Sequence, residues 1–163
     1  MATIEEVARQ PLAQRLARME RTPDDLTAAI HGLSEAVLSR RPDDKNWAAK
    51  EIVCHLRDTE ESYTVRAQTA LATENPAFLS SDPDRCAAER QYLRNDAAEA
   101  LEAFRSRRQE ALVLFKKLSP AELQRTCIHP LFGRITIDQI GGLLACHDDN
   151  HLDQPKRALE GKA

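Results

Sequence analysis

The sequence has 163 residues, 42% of them apolar, 4% aromatic and 30% charged, and its formal net charge is −3 at pH 7. A chain of this length fits one domain, residues 1–163, that can bury a core without disulfide bonds. The slightly acidic charge, with basic residues dispersed among acidic ones, argues against a protein that binds nucleic acid.

The composition also favours one fold class. Ala, Leu, Glu and Arg are abundant, and these residues stabilise helices at nearly every position. The five glycines and eight prolines are too few for an all-β protein with many turns. An all-α domain, a bundle of helices, is therefore the expected architecture.

Two features bear on the cellular location. The longest apolar run, residues 140–146, is far shorter than the ~20 residues that a membrane-spanning helix needs. Glu5 and Glu6 stand where a secretory signal would be basic and then apolar. We therefore expect a cytoplasmic protein without membrane association, in which all four cysteines are thiols: Cys54, Cys86, Cys127 and Cys146.

The first quarter of the chain predicts helices separated near residue 22. Residues 1–21 have a weak apolar periodicity that Pro11 interrupts, which predicts one or two short helices. The segment from Thr22 to Asp25 predicts a new helix start, because it combines a hydroxyl cap, a proline in the first turn and acids at the positive end of the dipole. This helix is expected to end at residues 32–34.

Three longer helices are predicted after it. Asp96 with Glu99, and Thr136 with Gln139, have the spacing of capping boxes and predict the starts of two of them. A loop around His129 precedes the last helix. The predicted ranges of the three helices are 46–72, 96–118 and 136–154, with short helices expected at 35–40, 87–93 and 119–122.

The last helix carries the sharpest functional signal. Six residues follow the 3-4 spacing of a buried helix face: Ile137, Ile140, Leu144, His147, His151 and Gln154. Histidines at i and i+4 lie on adjacent turns and can bind one metal ion. The alternative is a pair of partly buried histidines that are hydrogen-bonded to neighbouring carboxylates. Asp148, between them, is expected to be a solvated surface acid.

His55, on the helix predicted for residues 46–72, is the best candidate for a third ligand. It lies at the border of the apolar face and can lean inward from a neighbouring helix. Glu51 and Asp58 flank it at i−4 and i+3, where they could orient its second ring nitrogen, as a ligating histidine usually requires. The alternative is an exposed histidine with acidic neighbours.

Arg108 is a further candidate for a binding pocket. It belongs to a 3-4 seam of the 96–118 helix that also contains Leu101, Phe104, Ala111, Phe115 and Leu118. We hypothesise that Arg108 faces a cavity and binds a substrate carboxylate. The alternative is a one-residue shift in helix register that leaves Arg108 at the surface.

Several motifs resemble one known family. Residues 47–58, WAAKEIVCHLRD, resemble the W-S-x-K-E-x-x-x-H-L-x-D segment of the DinB/YfiT-like family. The pattern of His147, His151 and Gln154 is similar to the second signature of this family. The H-P-x-x-G segment at His129, followed by Thr136, resembles the approach to the last helix of the family. With residues 22–42, the similarity covers most of the chain.

The resemblance implies a four-helix bundle with up-down-down-up topology that forms a homodimer. It implies one nickel or zinc ion on His55, His147 and His151. Three neutral imidazoles leave coordination positions open for water or substrate, as in catalytic sites. The implied function is an enzyme that acts on a small molecule, by transfer of a low-molecular-weight thiol to an electrophile or by metal-assisted hydrolysis. The alternative is a non-catalytic protein whose ion is structural or binds a ligand.

Pro155 departs from the pattern of the family, in which the last helix continues past the site. Proline has no backbone donor and disfavours helix at the residue before it. We therefore expect a kink or an end of the last helix just below the histidines, which puts the position of Gln154 in question.

Overall fold

The computed structural model describes residues 9–162. Residues 1–8 of the segment predicted to form one or two short helices lie outside the described residues. The elements are α1 (Leu12–Ile30), α2 (Glu35–Leu38), α3 (Ala49–Ala72), α4 (Pro83–Glu89), a 3-10 turn (Tyr92–Arg94), α5 (Ala97–Lys117), α6 (Pro120–Leu123), β1 (Thr126–His129), β2 (Gly133–Thr136), α7 (Ile137–His151) and α8 (Gln154–Leu159).

The four long helices α1, α3, α5 and α7 form a bundle. Both α1 and α3 pack against α5 and α7. One core cluster joins the starts of α1 and α7 to the ends of α3 and α5, through residues such as Leu16, Ile140, Ala70 and Phe115. A second cluster joins the end of α1 to the starts of α3 and α5, through Leu26, Ile52 and Leu101. The helices therefore run up, down, down and up, as the resemblance implies.

Helix α1 differs from the prediction, because it continues through Pro23 without a break. Thr22 does not cap a helix; its hydroxyl donates a hydrogen bond to Asp148 Oδ2 at 2.6 Å. Pro23 lacks the N–H that would bond the carbonyl of Met19, but Arg108 Nη1 donates to that oxygen at 2.9 Å. The predicted helix start at Thr22 is wrong. The Met19 carbonyl, which Pro23 leaves without a backbone donor, accepts from Arg108 of α5, so that α1 continues.

The predicted starts of α5 and α7 are confirmed. The Asp96 side chain accepts a hydrogen bond from the backbone N–H of Glu99 at 2.9 Å. At α7, Thr136 Oγ1 accepts from the N–H of Gln139 at 3.1 Å, and Gln139 Oε1 accepts from the N–H of Thr136 at 2.8 Å. These reciprocal bonds satisfy backbone donors that a helix start leaves free. The first turn of α7 thereby fixes the direction in which the helix leaves the hairpin.

The segment predicted as a loop around His129 is instead a short antiparallel hairpin. Strands β1 and β2 pair from Thr126 opposite Thr136 to His129 opposite Gly133. Gly133 has a φ of +67°, which the turn requires and which side chains rarely adopt. A parallel bridge also joins Ala77 to Ile128 of β1. Strands of four residues are too short to show a clear alternation in sequence, and their partners are supplied by tertiary contacts.

The expected break below the histidines is confirmed. Helix α7 ends at His151, and α8 starts three residues later with Pro155 in its first turn. The proline has no N–H to donate to the carbonyl of His151, so the i→i−4 ladder is interrupted there. The prediction that the last helix reaches Gln154 without a break is therefore wrong. None of the helices within residues 9–162 has the length and apolarity needed to cross a membrane.

Candidate metal centre

Three histidines from two helices converge near one end of the bundle. His55 comes from α3, and His147 and His151 come from adjacent turns of α7. One nitrogen of each ring lies within 4.8 Å of the chosen nitrogens of the other two. The Nε2 atoms of His55 and His147 are 3.0 Å apart, and the ring centroids of His147 and His151 are 4.3 Å apart. The structure thus brings together all three residues that the sequence marked as candidate ligands.

The bundle topology explains this convergence. Because α3 and α7 are antiparallel neighbours, the first half of α3 lies beside the second half of α7. Ile140 and Leu144 are fully buried about two turns and one turn before His147, respectively, and pack this face of α7 toward α3. The buried aliphatic residues of this helix face therefore orient the two histidines that follow them, His147 and His151.

Burial keeps the three rings neutral. Burial and the nearby His151 lower the pKa of His55 from its ordinary value of 6.5 to about 4, against the charge of Asp58. Burial lowers the pKa of His147 well below 6.5 and also lowers that of His151, where the hydrogen bond to Gln154 acts in the opposite direction. At neutral pH each ring therefore has one unprotonated nitrogen that a metal ion can bind.

Gln154 contacts the site as the sequence suggested. Its Oε1 lies 2.7 Å from His151 Nδ1, and a proton on Nδ1 would be donated to this oxygen. That tautomer leaves Nε2 of His151 free as the ligand atom. The Gln154 amide therefore lies beside the site in spite of the helix break at Pro155.

Glu51 and Asp58, the other two candidates, make different contacts. The carboxylate of Glu51 accepts bonds from Arg41 at 2.6 and 2.7 Å and from the N–H of Ala48 at 3.0 Å. Asp58 accepts from Arg57 and from the hydroxyl of Tyr92, each at 2.8 Å. Neither carboxylate is hydrogen-bonded to His55 in the described residues. The prediction that these carboxylates orient the His55 ring is wrong, because they accept hydrogen bonds from arginines and, for Glu51, from a backbone N–H at the start of α3.

Arg108 faces the core, as its seam predicted, but both of its terminal nitrogens are hydrogen-bonded within the protein. It is 1% exposed and donates to Asp148 Oδ1 at 2.8 Å and to Glu60 Oε2 at 2.7 Å. The hypothesis that it binds a substrate carboxylate is wrong, since two internal carboxylates already neutralise it. The expectation of a solvated Asp148 is also wrong: this side chain is 1% exposed and accepts from Thr22 as well.

The histidines open on a cavity of about 500 Å³. Small-molecule sites in proteins commonly have volumes of about 300–1,000 Å³. Trp47 lies at one side, where its ring contacts His55 edge-on at a centroid distance of 4.9 Å and its Nε1 donates to Asp84. The other walls include Thr59, Ser62, Tyr63 and Arg66 of α3 and His129 and Leu131 of the hairpin.

Sequence reasoning missed the polar wall of this cavity. The sequence does contain a signal for it, because a polar stripe with 4-3-4 spacing places four residues on one face of α3: His55, Thr59, Ser62 and Arg66. Tyr63 has the spacing of the apolar face of the helix, with Leu56 and Ala70, so the sequence does not mark it as part of a polar wall. His129 entered only as part of a motif, and no local pattern could place it opposite Tyr63, because the hairpin and α3 are far apart in sequence.

The fold and the site together define a class of protein: four-helix bundles with three histidines placed where a metal ion could bind beside a small-molecule cavity. The chain belongs to the DinB superfamily, whose family model matches residues 18–154.

Relatives and a solved structure agree with this assignment. A protein of Oceanobacillus iheyensis named "Putative metal-dependent hydrolase" is 29% identical over 107 residues, which cover 65% of this chain and 61% of that protein. Another protein of this organism with the same description is 22% identical and aligns over 98% of this chain and 91% of its own length. A solved structure is also similar, that of YfiT from Bacillus subtilis, described as a "probable metal-dependent hydrolase with an unusual four-helix bundle topology". It superposes on this chain with a TM-score of 0.84 at 20% sequence identity, and the match covers 95% of this chain and 90% of YfiT.

Proposed function

We propose that the protein is a metal-dependent enzyme that acts on a small molecule, with His55, His147 and His151 holding one divalent ion, nickel or zinc. The observation that carries the proposal is the convergence of three neutral imidazoles beside a cavity of small-molecule size. The names of the relatives, which describe metal-dependent hydrolases, support the same class of activity. A cytoplasmic location, expected from the sequence, is part of the proposal.

The residues present fit such an ion. Nitrogen ligands about 2.0–2.1 Å from a tetrahedral zinc ion are about 3.3 Å from each other. The His55 and His147 Nε2 atoms are 3.0 Å apart, close to this separation. Imidazole suits both nickel and zinc, so the donor set is compatible with either metal.

The chain contributes binding, orientation and an enclosed space. The three rings would occupy three coordination positions, and Gln154 fixes the tautomer of His151. A bound divalent ion would lower the pKa of a coordinated thiol or water and so provide a nucleophile at neutral pH. The cavity beside the rings holds the electrophile and limits its contact with bulk water.

Two reactions suit this arrangement. In thiol transfer, the S–H proton passes to solvent, the sulfur forms a bond to an electrophilic carbon, and the leaving group departs with the bonding electrons. In hydrolysis, a water oxygen takes the place of the sulfur. The family resemblance favours a low-molecular-weight thiol as cosubstrate, and the names of the relatives favour water.

The proposal is tested with protein purified without a histidine tag. We expect about one equivalent of nickel or zinc by elemental analysis, and catalysis of either cysteine conjugation to monochlorobimane or hydrolysis of p-nitrophenyl acetate. EDTA should abolish the activity while the helical circular dichroism persists. His147→Ala should lose metal and activity, whereas His31→Ala, at an exposed histidine outside the site, should retain both.

A structural ion is the alternative, and one observation favours it: the histidines join α3 to α7, so that an ion would also hold these helices together. In that case EDTA would unfold the protein. Loss of the helical signal on chelation, or metal-loaded protein inactive in both assays, would support this alternative and contradict the enzyme.

A further inference from the structure

The cavity has a second polar region along α3, away from the three histidines. Tyr63 and Arg66 follow His55 by eight and eleven residues, so they are about 12 and 16 Å further along the helix axis at 1.5 Å per residue. Both side chains line the same cavity as the histidines, together with His129 of the hairpin. A molecule in the cavity could therefore contact the histidines at one end and these residues at the other.

The hydrogen bonds of His129 determine the direction of its contact with Tyr63. His129 Nδ1 accepts from the backbone N–H of Leu131 at 3.1 Å and from that of Phe132 at 3.4 Å. This nitrogen is therefore unprotonated, and in the neutral ring Nε2 carries the proton. Nε2 lies 3.0 Å from the Tyr63 hydroxyl, so His129 donates and the Tyr63 oxygen accepts.

The proton of the Tyr63 hydroxyl is consequently available to a ligand. It cannot be donated to His129, and no other acceptor for it occurs in residues 9–162. Burial raises the pKa of Tyr63, against the opposing charge and hydrogen bond of Arg66, so the hydroxyl keeps its proton at neutral pH. Tyr63 is a donor without an acceptor in the wall of the cavity.

Arg66 is a cation without a carboxylate partner. Its guanidinium lies 4.9 Å from the centroid of the Tyr63 ring and 5.5 Å from that of Phe78, and Nη2 donates to the carbonyl of Leu79 at 3.2 Å. No acid within residues 9–162 lies within ion-pair distance of it. Arg90, the other arginine of the cavity wall, is by contrast paired with Asp58 at 2.9 Å. A further N–H of Arg66 is hydrogen-bonded to the Tyr63 oxygen. Two rings and these two bonds hold Arg66 in place, and its other donors have no acceptor within residues 9–162.

We propose that Arg66 and Tyr63 form a carboxylate subsite, and that the substrate is an elongated small molecule whose carboxylate lies at this end of the cavity. The inference rests on the proposed function only for the position of the reacting atom, which would lie at the histidines. A guanidinium presents parallel N–H donors that match the two oxygens of a carboxylate, and the tyrosine adds a third donor. His129 is a positioning residue, since it acts through Tyr63.

The test uses chelator-treated, metal-free protein, so that a carboxylate cannot bind a metal instead. Isothermal titration calorimetry would compare 4-phenylbutyrate with its uncharged amide, 4-phenylbutyramide. We expect the carboxylate to bind about ten-fold more tightly, a preference equivalent to about 1.4 kcal/mol. Arg66→Gln should abolish the preference, and Tyr63→Phe should weaken carboxylate binding about five-fold through loss of one hydrogen bond.

A matched control separates a local contact from general charge. Arg134→Gln removes the same charge at an exposed position outside the cavity and should leave the preference unchanged. Equal binding of the acid and the amide, no detectable binding of 4-phenylbutyrate at millimolar concentration, or an equal loss in Arg134→Gln would overturn the subsite.

Zinc titration of the same variants distinguishes this proposal from the function proposed above. Arg66→Gln should bind zinc as the wild type does, since it touches none of the three histidines. If the wild type bound no zinc but kept its preference for the carboxylate, the metal site would fail while the subsite stood. If zinc bound normally and no preference existed, only the subsite would fail.

Discussion

At the scale of single residues, the candidate site depends on the neutral state of three crowded imidazoles. The rings of His55, His147 and His151 have centroids 4.3–4.9 Å apart, so protonation of one raises the energy of protonating its neighbours. Burial acts in the same direction for all three. Without an ion, protonation of these rings therefore destabilises the folded state.

This arrangement predicts a specific pH dependence for the metal-free protein. The pKa of His55 is about 4 in the folded state and 6.5 as an ordinary value, so the unfolded chain binds more protons between these limits. The free energy of unfolding should therefore keep its highest value above pH 6.5 and decrease as the pH is lowered toward 4. Each such histidine should contribute a decrease of at most about 1.4 kcal/mol per pH unit.

Urea denaturation of EDTA-treated protein at pH 7, 6 and 5 would measure this effect. His55→Gln should show a smaller decrease than the wild type, because it removes one of the groups that bind protons on unfolding. His31→Gln, at an exposed position, should follow the wild type. Parallel curves for wild type and His55→Gln would contradict the prediction.

At the scale of the elements, one arginine connects all four helices of the bundle. Arg108 belongs to α5 and donates to the Met19 carbonyl of α1, to Glu60 of α3 and to Asp148 of α7. The balance of charges is one cation against two carboxylates, and burial raises the pKa of Glu60. The 3-4 spacing predicted that Arg108 faces inward, but its partners come from three other helices and no local pattern contains them.

Replacement of Arg108 should destabilise the fold strongly. Arg108→Met leaves the buried carboxylates of Glu60 and Asp148 without their cation, which typically costs about 3–5 kcal/mol of the free energy of unfolding. Urea denaturation at pH 7 would measure it. Arg105→Met is the matched control, because Arg105 lies one turn earlier and makes an exposed ion pair with Asp24 worth less than about 1 kcal/mol. Equal losses for the two variants would contradict this account.

At the scale of the whole molecule, we propose that the chain forms a homodimer, as the family resemblance implies. Sedimentation velocity at micromolar concentration should give a species with twice the chain mass of 18.3 kDa. The metal-loaded and EDTA-treated proteins would be compared at the same concentration. A single species with the mass of one chain at all concentrations would refute the dimer.

The sequence by itself determined the helical class, the starts of two long helices, the break at Pro155 and the three histidines that are the candidate ligands. These features depend on local rules: capping pairs, the restriction that proline imposes, and the 3-4 spacing that places side chains on one face. Local rules act within one or two helical turns, which is why they can be read before the fold is known.

Only the tertiary structure decided the features that join distant segments. In the folded chain α1 continues through Pro23, and Asp148 is buried. The two short strands pair, and Tyr63 and Arg66 line the same cavity as the histidines. Each of these outcomes depends on a hydrogen bond, an ion pair or a shared wall between residues far apart in the chain. Their energies come from partners that only the packed bundle provides.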